Sequence, residues 1–303
     1  MSTIHEYKVG GKRKDIYQAF RNIWLYPFLV SRHKYLVLNF FRREFYGRFK
    51  GSILGVGWVL IHPIFLFIVY YLVFGELFQL RAAPGKPETW YPIYLFSGIV
   101  VWMLFSETSL QSCTIVTDNG NLIKKVAFPA ELLPFPKILV NLVVFLVGTG
   151  VILGVSGIIY IFAPDKSPVS LNGSHVLFFV PIALELALFT LGLSLLLATL
   201  HVFIRDTFQV YSVFLMFWFF VTPVFWHTAM LKSSPFYKKV AHILALNPLF
   251  NYVQGIRACI GVLDKPLNTA RSCFFAGLLP CLIIFVLGCF VFNLYKRRFA
   301  DEV

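Results

Sequence analysis

Apolar residues fill this chain in long runs, separated by short polar segments. A helix needs about 20 mostly apolar residues to cross the hydrocarbon core of a bilayer. Six stretches reach that length, at roughly 53–76, 92–116, 133–162, 175–203, 207–228 and 272–294. The pattern predicts an all-α integral membrane protein with six transmembrane helices. A semi-polar stretch, 229–271, separates the fifth span from the sixth. Within it, HILALNPLFNYVQGIRACIGVL is apolar but interrupted by Pro248 and Gly255. Re-entrant helices, buried in protein or lining a cavity, are expected there rather than a seventh span.

A different period precedes the first span. In KYLVLNFFRREFYGRFK, Leu36, Val37, Phe40, Phe41, Phe45 and Phe49 fall near helical spacing, and Arg42, Arg43, Arg48 and Lys50 fill much of the rest. This predicts an amphipathic helix lying in the membrane interface, apolar side in acyl chains and basic side among head groups. A plain charge cluster that sets topology is the alternative. The chain therefore divides into a basic cytoplasmic extension (1–34), an interface helix (35–52), a six-span transmembrane domain (53–294) and a short cytoplasmic tail (295–303).

Charge sets the orientation. Residues 1–52 hold 11 Lys and Arg, and the segments 117–132, 204–206 and 295–303 hold 2, 1 and 3. The opposite loops, 77–91 and 163–174, hold 2 and 1, while the long 229–271 stretch holds 6 and is the exception. Positive segments beside spans stay in the cytoplasm, so both termini are expected inside, with contacts to anionic membrane lipids. Nucleic-acid binding is the competing reading of such a basic arm; the adjoining spans favour the membrane. No apolar run lies within the first 30 residues, so no cleavable signal peptide is expected.

Composition agrees: 58% of the residues are hydrophobic and only 14% charged, where soluble domains sit near a quarter charged. The five cysteines show no C-x-x-C pair and read as small buried hydrophobes, not as a disulfide or metal site. There is no G-x-x-x-x-G-K-[ST] phosphate loop, no H-E-x-x-H and no G-x-S-x-G elbow. Asn172-Gly173-Ser174 fits a glycosylation acceptor, a match common by chance. No catalytic or metal-binding residue is nominated. Acids inside spans mark ion-coupled carriers, and two candidates exist, Glu107 and Glu185. Glu107 stands in a polar stripe with Ser106, Thr108, Ser109, Gln111 and Ser112; it either faces water or lies near the head groups. Glu185 is more central, protonated or bonded to a neighbouring helix.

With no fuel of its own in the spans, a transporter of this kind needs energy from elsewhere. The segment DNGNLIKKVAFPAELLP, from Asp118 to Pro134, interrupts the apolar pattern between the second and third spans. Asp118-Asn119-Gly120 is a turn signal that can cap a helix, NLIKKVAF is long enough for two turns, and Pro129 ends it. A short helix with Leu122, Ile123, Val126 and Phe128 on it and the cations Lys124 and Lys125 suits docking in a partner's groove. A connector lying on the membrane surface is the alternative.

LIKKVAFPAELLP resembles the coupling-helix region of the membrane subunits of ABC exporters for polysaccharides and polyol phosphates. Further similarities follow in order. RFKGSILGVGWVLIHPI (Arg48, Gly51, Ser52, Leu54, Gly55, Trp58, Pro63) resembles the approach to that family's first span. RDT at 205–207 resembles its turn between spans four and five, and TPVFW (222–226) and LNPLFNYVQGIR (246–257) the end of span five and the element after it. The resemblance runs from about residue 35 to the end of the sequence. The first 34 residues have no counterpart, and His62 before Pro63 departs from the pattern.

The resemblance implies a homodimeric permease in a bacterial inner membrane, without a cofactor of its own. ATP and Mg would be bound by a separate nucleotide-binding ATPase subunit, which would reach the chain through Leu122, Ile123, Lys124, Lys125, Val126 and Phe128 and through Arg42, Arg43 and Arg48. The cargo would be a lipid-linked glycan of O-antigen, capsule or teichoic acid type. Its path would be lined by aromatic residues of spans one and five: Trp58, Phe65, Tyr70, Tyr71, Tyr211, Phe214, Trp218, Phe225 and Trp226. Rings stack on sugar C–H faces without fixing one register, but they also fill bundle cores. Arg205 and Asp206 would form the turn, and Asn247 and Pro248 the outer gate. The glycines at 51, 55 and 57 admit a plainer role in close helix contact, and Asp206 one as a helix cap. An ion-coupled carrier and a membrane-embedded transferase acting on lipid-linked sugars are the competing classes.

Overall fold

The computed structural model describes residues 21, 25–78, 90–125, 129–167, 169, 173–227 and 246–303. Regular structure among them is helical throughout, with no strand. The helices are α1 (Lys34–Gly47), α2 (Trp58–Tyr70), α3 (Trp90–Cys113), α4 (Ile115–Asp118), α5 (Gly120–Lys125), α6 (Pro134–Phe162), α7 (Phe179–Phe203), α8 (Thr207–Val221), α9 (Pro248–Cys259), α10 (Pro266–Tyr295) and α11 (Phe299–Glu302). Residues 25–32 are also helical and lead into α1. Beyond Tyr70 the chain continues as a π-helical turn, Tyr71–Leu77.

Among the described residues, five helical segments are long and apolar enough to cross a membrane: Gly55–Phe74, Trp90–Cys113, Ala130–Phe162, Ser174–Phe203 and Pro266–Glu302. The chain is a multi-pass membrane protein. The expected fifth span, 207–228, is shorter than its apolar run. α8 stops at Val221 after 15 residues, about 22 Å at 1.5 Å per residue, against a hydrocarbon core of about 30 Å. The cause is local. Thr222 precedes Pro223, whose ring drives the residue before it out of helical conformation, and Thr222 is extended at φ −85° and ψ 137°. Of the expected re-entrant helices, α9 alone falls among the described residues.

α3 is the hub. It packs on α6, α7, α8, α9 and α2, and Tyr94, Leu95, Ile99, Val100, Leu104 and Phe105 along it are buried. The closest helix pair is α7 with α10, which meet where Gly192 faces Gly288. A Cβ on Gly288 would overlap the Gly192 carbonyl. Lipid gives apolar helices no hydrophobic reason to associate, so small residues that let backbones approach decide such contacts.

The glycines before span one work differently from the helix contact considered for them. Gly51 and Gly55 adopt φ of 81° and 51°, and a Cβ at either would meet nothing within 4 Å. They turn the chain from the interface helix into the first span through backbone that other residues rarely adopt.

A second apolar cluster closes the end of the bundle that carries α5. Ile115, Val116, Leu133, Ile138, Leu195, Val202, Phe292 and Phe299 are buried in it. Tyr26, from the extension that matched nothing in sequence, is buried there too and donates to the Glu131 carbonyl at 3.0 Å. Lys296 meets the Glu131 carboxylate at 2.7 Å. Both ends of the described chain thus dock on the segment that follows α5.

Candidate functional site

α5 is built as the turn signal implies. Asn119 donates its side-chain amide to the Ile115 carbonyl at 2.8 Å, and its own carbonyl accepts from the amides of Leu122 and Ile123 at 3.0 and 3.2 Å. The helix spans six residues, Gly120 to Lys125. Leu122 and Ile123 are half-buried against the second cluster, so they hold α5 to the bundle instead of offering the free apolar side expected of them. Asn121 and Lys124 are exposed and form its outward surface. Lys125 closes the helix; Val126 and Phe128 lie outside the described residues.

α1 is tied to this turn. Arg43 donates to the Asn119 side-chain carbonyl at 3.3 Å and pairs with Glu44 at 3.2 Å. Glu44 in turn meets Lys137, at the start of α6, at 2.5 Å. Burial pushes the Glu44 carboxyl up, but the hydrogen bond and charge of Lys137, with those of Arg43, outweigh it and hold the group below its ordinary range. Arg42 is exposed. Arg48 turns into the bundle, meeting Glu107 at 2.5 Å and the Asn141 side chain at 3.2 Å. His62 lies 3.7 Å from the other Glu107 oxygen, and Asn141 donates to the Thr108 hydroxyl at 2.9 Å. Glu107 is therefore held by a cation from outside its own span. The unusual His62 has its reason in the same carboxylate.

The nine aromatic residues nominated for a path divide three ways. Trp58, Phe65 and Phe214 are exposed. Tyr70, Tyr71, Trp218 and Phe225 are half-buried; two of them join the first and fifth apolar segments, Tyr70 to Phe219 at 5.6 Å and Phe225 to Phe74 at 4.3 Å, while Tyr71 stacks on Phe67 and Trp218 meets Phe105 of α3. Tyr211 and Trp226 are buried and spend their polar atoms inward, on Ser109 at 2.7 Å and the Phe220 carbonyl at 3.0 Å. α2 and α8 meet through the Tyr70–Phe219 ring contact and carry Ile64, Phe65, Ile68, Val213, Met216 and Phe217 exposed.

Arg205 and Asp206 are exposed in the turn between α7 and α8. Asp206 makes no side-chain cap; the hydroxyl of Thr207 instead donates to the Ile204 carbonyl at 2.6 Å. At the opposite end of the bundle, Asn247 caps α9 through the Leu249 amide at 3.1 Å, accepts from the Trp218 indole at 2.9 Å and donates to the Thr222 hydroxyl at 3.0 Å. Pro248 takes the first helical position, where a missing N–H costs nothing.

Sequence reasoning missed Arg257 at this end. It is fully buried in α9 and donates to the carbonyls of Tyr94, Pro223 and Val224 and to the Ser97 hydroxyl. Its guanidinium also lies 3.4 Å from the Tyr94 ring centre. Tyr91 and Tyr94 donate to the carbonyls of Phe225 and Trp226. The backbone groups freed where α8 unwinds are thus satisfied by α3 and α9.

Residues 35–260 match the profile of the ABC-2 type transporter family. The chain belongs to the ABC-2 type transporter family. Similarity extends to the O-antigen export system permease protein RfbA of Myxococcus xanthus, 29% identical over 229 residues, covering 76% of this chain and 81% of that protein. The protein of the same name from Klebsiella pneumoniae is 27% identical over 256 residues, 84% of this chain and 89% of that one. Among the elements above, the match takes in α1 through α8 and α9. It leaves out α10 and the helical turns that lead into α1.

Proposed function

We propose that this chain is the membrane-spanning permease of an ATP-driven exporter that carries a polysaccharide or polyol-phosphate polymer out across the bacterial cytoplasmic membrane. It acts with a separate ATPase subunit that binds ATP and Mg, and with a second copy of itself. The polymer, of O-antigen, capsule or teichoic acid type, travels attached to a lipid carrier. Both termini are cytoplasmic. Family membership and the names of the relatives support the cargo class. The observation that carries the mechanism is the clamp between Arg43 and Asn119, because it joins the two surfaces offered to the ATPase into one unit.

Force applied at Asn121 and Lys124 moves α5, and with it the second cluster and α1. Arg48 passes the displacement to α3 through Glu107 and to α6 through Asn141. α2, the least covered span, and α8 respond most easily, since few contacts oppose them. Their exposed apolar faces suit a second copy or lipid, and the aromatic residues between them suit a sliding glycan. Glu107 has Arg48 beside it, which speaks against a free carboxylate that loads a coupling ion.

Reconstitution tests the assignment. Vesicles holding this chain and its ATPase should move lipid-linked glycan only when ATP is present. Transport by this chain alone, driven by a proton or sodium gradient, would overturn it.

A further inference from the structure

Below the interface helix, where α1 gives way to the glycine turn, a cavity of about 560 Å³ opens between α2, α3 and α6. Arg48, Ser52, Trp58, His62, Glu107 and Gln111 supply its polar lining. That volume falls within the ~300–1,000 Å³ typical of small-ligand sites. The link from α1 to α3 through Arg48 and Glu107 does not itself need a cavity here.

Its electrostatics select the ligand. Arg48 and Glu107 sit 2.5 Å apart and cancel, and the nearest further titratable group, His62, is 3.7 Å from the same carboxylate. An anion would meet the Glu107 oxygens, and a cation would meet the Arg48 guanidinium. A neutral, polyhydroxylated ligand suffers neither conflict. It can accept from the guanidinium N–H groups that the ion pair leaves free and donate to the remaining carboxylate lone pairs. Trp58 completes the match. Its indole N–H is already used on the Ser52 hydroxyl at 2.7 Å, so what it offers a ligand is a ring face, which stacks on sugar C–H groups. Gln111 adds an amide that can donate and accept.

We propose that this cavity binds a neutral sugar unit of the exported glycan at the cytoplasmic ends of the first three spans. The proposal rests on the export function proposed above and adds the place where the chain recognises its cargo before translocation. Because Arg48 is both the wall of the cavity and the link from α1 to α3, sugar in the cavity would be sensed by the same side chain that receives motion from the interface helix.

The test is saturation-transfer NMR on the full chain in nanodiscs, with D-mannose, D-galactose, N-acetyl-D-glucosamine and L-rhamnose as separate probes. At least one should receive saturation, and the signal should fall at least fivefold in Trp58→Ala and in Glu107→Gln while persisting in Ile158→Ala, a lipid-facing change on α6. Trp58→Phe, which keeps a ring, should retain most of it and so separates loss of stacking from loss of fold. No saturation of any of the four sugars, or saturation unchanged in Trp58→Ala and Glu107→Gln, would overturn the proposal. So would competition of the sugar signal by inorganic phosphate dependent on Arg48, which would make the cavity an anion site. If ATP-driven export is observed but no sugar binds, this inference alone fails. If sugar binds but export needs no ATPase, the proposed function fails and the site stands.

Discussion

Arg257 caps the broken end of α8 by donating to the carbonyl of Pro223 at 2.5 Å. The two residues lie 34 positions apart, in an apolar setting where an unpaired cation or carbonyl is costly. Replacing Arg257 with Met strands the Pro223 and Val224 carbonyls together, while the Tyr94 carbonyl keeps the Ser97 hydroxyl. The expected loss is about 3–5 kcal/mol, the scale of breaking a buried charged network. Thermal unfolding of the detergent-solubilised protein, followed by size-exclusion fluorescence, measures it. Arg257→Lys should recover only part, since one ammonium cannot span the same fork.

Gly288→Ala is expected to push α7 and α10 apart, because the added Cβ overlaps the Gly192 carbonyl. Overpacking of this kind costs about 1–3 kcal/mol. The unfolding midpoint should drop, and Gly157→Ala on α6, where a Cβ meets nothing within 4 Å, should leave it in place.

Stability should depend on acid through Glu44. Its carboxyl is held below the ordinary value of 4.5 when folded, so the folded state binds this proton less readily than the unfolded one. The contribution is fully present above pH of about 4.5 and disappears as pH falls through the folded value. Because both partners keep some contact with solvent, its size should be about 1 kcal/mol. Denaturation curves of the wild type and Glu44→Gln should differ at neutral pH and converge in acid.

The span pattern was legible because twenty apolar residues in a row have few other uses. The length of α8 was harder to read. Val224, Phe225 and Trp226 continue the apolar run, yet Thr222-Pro223 ends the helix, and the distant Arg257, Tyr91 and Tyr94 make an unwound end tolerable in that setting. Likewise the pattern of α5 showed apolar residues beside cations. It did not show that Leu122 and Ile123 face their own bundle, since the cluster that receives them comes from five separate segments. Glu107 looked unpaired within its own span because its partner, Arg48, is 59 positions away. His62, odd on its own, was the one sequence signal that pointed toward that carboxylate.

If nucleotide-driven motion enters through the outward surface of α5, as proposed, Lys124 stands where the ATPase must touch. The side chain is exposed, so Lys124→Glu should alter stability by no more than about 0.5 kcal/mol. A photo-crosslinking amino acid at position 124, in cells making both subunits, should yield an adduct with the ATPase. Lys124→Glu should weaken that association by about tenfold, equivalent to 1.4 kcal/mol. Labelling of position 124 by a membrane-impermeant reagent added outside the cell, with no ATPase adduct, would contradict the account.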